Sequence, residues 1–468
     1  MATTTHSSPA TAKVTGRMWA VLAVILAADG LDLLDSTITN IAAPAIAEDL
    51  RGGQSLIQWL GASYALALGV LLVVGGRLGD RFGKRRLFLI GLAGFTAASV
   101  ACGLAFDPTS IITARLAQGA FGALLIPQGF GILTAVFPRE HLGKAFSVFG
   151  PVLGLSAVGG PILAGFLIDA DLFGFGWRAT FLINIVLGGG AFAAACRLLP
   201  SDSGDDTVAI DGLGAALLGA GMFGALFGLI DGSAHGWRAG PLGYLATGLV
   251  CFGLFARRQL TAANPLIRPT LFKNRGFTSG LLLGLVFFAA VSGLLYVLSL
   301  FLQTGLGYTP TGAALGLAPV AVGIVLSSLA AHRFIARLGR TLILIGLLIT
   351  LTGTGLLLVL AGVTDAPWAL AGPILILGLG MGTCFGTIYQ VTIGDIEQAE
   401  TGSASGSLTA VQQLANAVGA AAVTTVYFHA VGSGQVHALT ISLILVAAIT
   451  LASCGLVGFL PRNAPVDH

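Results

Sequence analysis

Apolar residues in this chain come in long, nearly unbroken runs rather than in the alternations that mark half-buried surface elements. Breaking the sequence at charged or Pro/Gly-rich segments leaves fourteen runs: 18–46, 56–78, 87–105, 109–136, 144–168, 180–199, 212–230, 240–258, 277–302, 310–331, 341–362, 367–391, 405–430 and 437–460. At about 1.5 Å of rise per residue, a run of about 20 residues spans the hydrocarbon core of a bilayer as a helix. Membrane strands would alternate polar and apolar side chains, which these runs do not. The pattern predicts an all-α membrane protein with 14 transmembrane helices.

The spacing of the runs divides the chain. Residues 1–16, rich in Thr, Ser and Ala, read as a disordered cytoplasmic tail. Residues 17–199 form a first six-helix bundle, 200–276 two inserted helices with their linkers, 277–461 a second six-helix bundle, and 462–468 a short cytoplasmic tail. Lys13 and Arg17 flank the first run without a small-residue cleavage site, so it reads as a retained helix. With the amino terminus inside, nineteen basic residues fall in cytoplasmic segments, against only Arg51, Arg178 and Arg238 outside and Arg115 within a span. This asymmetry places both termini in the cytoplasm and supports the count of spans, because one missed helix would scramble it.

Composition removes whole classes of function. With 55% hydrophobic and 9% charged residues and a mean hydropathy of +0.92, a chain of 468 residues could not clothe a soluble surface. The longest hydrophilic connections, Ser201–Asp211 and Arg257–Phe277, are too short to fold alone. The seven histidines are dispersed without metal-ligand spacing, and the five cysteines lie in spans or at their ends. Nothing reads as a nucleophile with its base, a cofactor loop or a nucleic-acid surface; the chain is expected to be no enzyme and to need no metal or cofactor.

The polar residues inside the runs are the candidate chemistry. Asp29, Asp32 and Asp35 sit three apart in the first run, on one stripe of a helix. An acid in hydrocarbon is costly, so these mark a polar track toward a cavity or partner helix, unless they are merely solvated or paired near a helix end. Asn40 follows on the same run, and Arg115 and Gln118 share the fourth. A guanidinium within a membrane needs an acid, a carbonyl or water, or must snorkel toward the nearby end at Pro108. In spans nine to fourteen the midspan polar groups are Gln303, Tyr389, Gln390, Gln412, Gln413 and Asn416, without acids away from span ends; Asp395, Glu397 and Glu400 fall in a cytoplasmic loop. Amides, hydroxyls and phenylalanines suit neutral or weakly charged hydrophobic molecules, and recognition of a cation would fall to the aspartates alone.

Several ordered motifs complete the picture. Gly76-Arg77-Leu78-Gly79-Asp80-Arg81-Phe82-Gly83-Lys84-Arg85-Arg86 follows the second run, and Arg337-Leu338-Gly339-Arg340 echoes it after the tenth. Arg115, Gln118, Gly119 and Gly122 stand in the fourth run; Gly150-Pro151, Gly154, Gly159-Gly160-Pro161 and Gly165 line the fifth. Leu34-Asp35-Ser36-Thr37 with Asn40 and Pro44, the stretch Trp177–Asn184, and Asn264-Pro265-Leu266 before Leu271–Phe277 occur in order along the chain. Together these resemble the major facilitator superfamily, specifically its fourteen-helix drug/proton antiporter branch. The second proline of the fifth run follows the paired glycines, a departure from the order usual among exporters.

The resemblance implies a multidrug efflux transporter of the cell membrane that works as a single chain. Its expected partners are a small hydrophobic substrate, protons and the lipid bilayer, with the proton gradient as energy source and antibiotic resistance as outcome. Asp35 occupies the acidic position of the first-helix signature and is the first candidate proton carrier; Asp32 and Asp29 are relay or substrate contacts, and Arg115 responds to their protonation. An uptake symporter, or a transporter-like sensor or lipid-handling protein, shares much of this pattern. Gly76, Gly79, Asp80, Arg81, Gly83 and Arg85, with Gly150, Pro151, Gly154, Gly159, Gly160 and Pro161, are the expected conformational motifs.

Overall fold

The computed structural model describes residues 15–205, 209, 211–362, 367–393, 396 and 401–461. Of the expected tails at 1–16 and 462–468, residues 1–14 and 462–468 lie outside the described residues, as do Asp395, Glu397 and Glu400, while Gly16 already opens a helix.

The helices are α1 Gly16–Asp49, α2 Gly53–Phe82, α3 Lys84–Gly103, α4 Pro108–Val136, α5 Arg139–Asp169, α6 Arg178–Leu182, α7 Asn184–Leu198, α8 Gly212–His235 and α9 Ala239–Thr261. They continue as α10 Pro269–Lys273, α11 Arg275–Leu300, α12 Pro310–Leu338, α13 Arg340–Leu360, α14 Pro367–Ile393, α15 Thr401–Ala430 and α16 Gln435–Leu456. No strand occurs among the described residues. Twelve helical segments there are long and apolar enough to cross a membrane, α6 and α7 together making one. Two long helices stand beyond that number: α1, with its three acids, and α5, whose shorter apolar stretch is Gly159–Asp169.

Local chemistry sets several boundaries. Asp107 accepts from the Ser110 amide at 2.7 Å while Ser110 Oγ accepts from the Asp107 amide at 3.1 Å, a capping box ahead of Pro108. Asn274, Thr309 and Asp211 cap α11, α12 and α8 through the amides of Phe277, Gly312 and Gly214. Gly83 and Gly339, at φ of +93° and +47°, turn the chain from α2 into α3 and from α12 into α13, where a side chain would be strained.

The packing repeats. α4 lies against α2 and α3 as α14 lies against α12 and α13; α1 packs on α5 as α11 packs on α15; and α7 meets α1 and α3 as α16 meets α11 and α13. The first and last groups meet along two seams, α5 against α12 and α2 against α15, which the same correspondence exchanges. Close approach depends on missing side chains: a Cβ on Gly119 of α4 would collide with the Tyr64 carbonyl of α2, and one on Gly378 of α14 with the Val320 carbonyl of α12.

The inserted hairpin breaks the symmetry. α8 and α9 pack on each other, and α8 lies against α2 and α15, flanking one seam only. Its foot is fixed by Arg258, which donates to Asp211 at 3.2 Å, and by Gln259, which accepts from the Ile267 amide at 2.9 Å. Burial pushes the Asp211 carboxyl up, but the donors from Arg258 and the α8 amides outweigh it and hold the group below its ordinary value.

Candidate functional site

The three acids of α1 face α4 with unequal company. Asp35 is fully buried and saturated: one oxygen accepts from Arg115 Nη1 at 2.5 Å, the other from Asn184 Nδ2 at 2.8 Å. Arg115, itself fully buried, also donates to Gln118 Oε1 at 2.8 Å and, through Nε, to the Leu60 carbonyl at 3.2 Å. Its guanidinium lies 4.5 Å from the Tyr64 ring centroid and 5.9 Å from that of Phe181. Arg115 therefore turns inward to an acid, a carbonyl and aromatic faces, and does not snorkel.

Among the described residues Asp32 has one donor, the Tyr64 hydroxyl. Asp29 is buried, and its Oδ1 has no hydrogen-bond partner. The difference comes from α4, which offers Arg115 opposite Asp35 but glycine opposite the other two. A Cβ on Gly122 would stand 3.1 Å from Asp32, and one on Gly129 would stand 3.6 Å from Asp29. Along α1, toward the basic end of the bundle, the acids thus lose partners step by step.

Two shells support this row. Asn184, the first residue of α7, also donates to Ser99 Oγ at 2.8 Å, and Ser99 in turn donates to the Phe181 carbonyl at 3.1 Å. Beyond the apolar run, Asp49 accepts from Arg178 at 2.8 Å and Trp177 Nε1 at 3.1 Å. Those two donors hold its carboxyl below the ordinary value. Tyr64, Ser99 and Asn184 were not singled out as site residues in the sequence; a buried amide beside an aromatic motif in an apolar run is the signal that marks Asn184. Gln128 is another, buried on α4 and donating to the Gly75 carbonyl at 2.8 Å.

The carboxy-terminal candidates are more scattered. Tyr389 donates to Gln412 Oε1 at 2.5 Å, joining α14 to α15 beside Phe288 and Phe385. Gln413 stands at the α2–α15 seam near Gly69, and Asn416 accepts from Ser292 through its backbone carbonyl at 2.9 Å. Gln303 bonds Ser299 at 3.1 Å in the π-turn ending α11, not at midspan, and Gln390 is exposed. The side chains of Asn40, Gly150, Pro151 and Gly154 lie outside the described residues. Gly160 sits against Thr37 and Leu34 of α1, where a Cβ would collide, whereas Gly159 faces open space and Pro161 is half-buried.

The glycine-rich loop is strapped from below. Gly76, Gly79, Asp80 and Arg81 end α2, and Asp80 pairs with Lys84 at 3.2 Å across Gly83. Asp202 accepts from the Lys84 and Arg85 amides at 2.5 and 3.0 Å, capping α3, while Arg85 donates to the Cys196 carbonyl at 2.6 Å. Arg340 does the corresponding work at the echo, donating to the carbonyls of Gly458 and Leu460 at 3.1 and 2.9 Å.

The family model described as "Major Facilitator Superfamily" matches residues 25–420, most of the chain. The chain belongs to the major facilitator superfamily. It is a membrane transporter by family and not an enzyme. It is 42% identical over 427 residues to the "Probable actinorhodin transporter" of Streptomyces coelicolor, covering 89% of this chain and 74% of that one. To the "Tetracenomycin C resistance and export protein" of Streptomyces glaucescens it is 35% identical, over 71% and 64% of the two chains. Among solved structures, the partially occluded inward-open xylose transporter XylE of E. coli has the same fold, with a TM-score of 0.67, 14% identity and coverage of 97% and 100%.

Proposed function

We propose that this protein is a proton-driven exporter of small hydrophobic compounds across the cytoplasmic membrane. In this reading α1 and α5 also cross the bilayer, making fourteen spans with both termini inside. Residues 17–199 and 277–461 are the two rocking bundles, 200–276 is inserted between them, and one chain is the working unit. The observation that carries the reading is the buried Asp35–Arg115 pair at the head of a row of acids that lose partners toward the basic face. Relatives named for transport, resistance and export support the outward direction.

The geometry supports a mechanism for that coupling. Asp35 accepting from both Arg115 and Asn184 has the hydrogen-bond pattern that a proton-free carboxylate requires. Protonation removes the charge that holds Arg115, freeing α4 to shift against α1. The proton then passes by Asp32 and Asp29 toward the basic face, their titrations coupled because close carboxylates do not ionise independently. Each proton moving inward draws about 2.3 kcal/mol per 100 mV. Each unit of pH gradient adds about 1.4 kcal/mol. The contact between Thr311 of α12 and Asp169 of α5, at the end opposite the basic loops, would have to part for release outward.

Everted membrane vesicles with an imposed pH gradient test this directly. Adding hydrophobic compounds is expected to collapse the gradient in vesicles bearing the protein and not in vesicles lacking it. Binding of a compound without any collapse would replace the reading with that of a ligand sensor.

A further inference from the structure

The stretch Trp177–Asn184 touches α1 at both its ends, and the transport cycle above uses only the donor half of the inner contact. Its outer end holds Asp49 through Trp177 and Arg178; its inner end brings Asn184 to Asp35. Fourteen residues separate the two acids along α1, about 21 Å of helix. The outer contact is a half-exposed latch. The inner one is fully buried, and one carboxamide serves two neighbours: Nδ2 donates to Asp35 Oδ1 and to Ser99 Oγ, each at 2.8 Å.

We infer that Asn184 is a positioning residue that senses whether Asp35 is charged and sets how readily it takes a proton. An ionised carboxylate only accepts, so the amide must turn its N–H toward Asp35, as it does here. A protonated Asp35 offers an O–H instead, and it requires an acceptor. Asn184 carries that acceptor unspent, because its Oδ1 is buried with no hydrogen-bond partner. Rotation of the carboxamide by half a turn presents Oδ1 to the acid, so one side chain can satisfy both protonation states. Arg115 cannot do this, having donors only.

Among the described residues, the other charged or titratable groups near Asp35 are few. They are Arg115 on α4, Tyr64 on α2, Cys102 on α3 and Asp32 on α1 itself. Gln118 beside Arg115 is neutral. The described titratable groups of α5, α6 and α7, His141, Asp169, Arg178, Cys196 and Arg197, stand at the ends of those helices. α12 likewise keeps Arg333 and Arg337 near its end.

The inference rests on the proton-coupled reading for its use but not for its test. The test is an infrared pH titration of the purified full chain, following the protonated-carboxyl band that disappears in Asp35→Asn. Asn184→Leu is expected to move the midpoint of that band to alkaline by up to about one pH unit, the difference between a hydrogen bond to the charged carboxylate and one to the neutral acid. Ser99→Ala, which loosens the amide without touching Asp35, is expected to give a smaller shift in the same direction and decides the matter if Asn184→Leu does not fold. Asp49→Asn, at the outer latch, is expected to lower thermal stability with no shift, which separates proton tuning from mere support of α1. A band that titrates alike in, or is absent from, wild type, Asn184→Leu and Ser99→Ala would overturn the inference. Shifted bands in a protein that shows no proton-driven transport would sustain it and refute the coupling.

Discussion

The first and last groups of helices share one packing plan and almost none of their chemistry. α1 and α11 hold corresponding places, as do α4 and α14. Yet α1 carries three buried acids and α4 a buried arginine, whereas α11 and α14 meet through Phe287, Phe288 and Phe385, with ring centroids 5.4 to 5.6 Å apart. The difference teaches that the scaffold does not need the charges. Small residues let helices approach closely in both halves, and one half fills its middle with rings where the other holds an ion pair. Burying charge is costly, and a buried pair seldom stabilises a fold more than an apolar filling of the same volume does.

The sharpest way to break the comparison is to make the first half as apolar as the second. Arg115→Leu leaves Asp35 buried and uncompensated and is expected to cost about 3–5 kcal/mol in detergent unfolding. Asp35→Leu combined with Arg115→Leu is expected to recover most of that stability while abolishing coupled transport. Failure of the double variant to recover would mean that the pair is structural. Next in size are the two glycine crossings. Gly119→Leu and Gly378→Leu are expected to destabilise by similar amounts, at least about 1–3 kcal/mol, because both meet a backbone carbonyl. Markedly unequal losses would argue against equivalent scaffolds.

Tyr389→Phe sharpens the other side. It removes one hydroxyl from Gln412, worth about 1 kcal/mol, and is expected to change the KM for some compounds by about fivefold while leaving the pH profile of transport unmoved. The smallest effect belongs to the outer latch. The Asp49 carboxyl is depressed in the folded protein, so its stabilising contribution is present above the ordinary carboxylate value of about 3.9 and lost as pH falls through its folded value. The pair is about half exposed, so Asp49→Asn is expected to cost about 0.2–1 kcal/mol at neutral pH and nothing in strong acid, read by thermal unfolding at both pH values.

Much of this was legible in the sequence, and for physical reasons. Apolar runs mark helices because backbone groups in lipid must satisfy themselves, and Asp29, Asp32, Asp35 and Arg115 stand out because charge in such runs is costly. The pairing of Asp35 with Arg115 was within reach, since an arginine in a span requires a partner. Lateral packing was not. Nothing in residues 212–261 says that their hairpin lies against α2 and α15 and leaves the α5–α12 seam to itself, because hydropathy carries depth and no bearing. Asn184 reads in the sequence only as part of an aromatic motif, its partners lying 149 and 85 residues away. Gln303 lies nearer the end of its span than its apolar run implies because the π-turn extends α11 past the end of its apolar core.

The central claim is that Asp35 couples proton movement to transport while the rest of the fold carries the substrate. Proteoliposomes bearing Asp35→Asn separate the two. Exchange of labelled for unlabelled compound across the membrane needs no net proton movement and is expected to persist, whereas uphill accumulation driven by an imposed pH gradient is expected to vanish. Accumulation at the wild-type rate in Asp35→Asn would contradict the account.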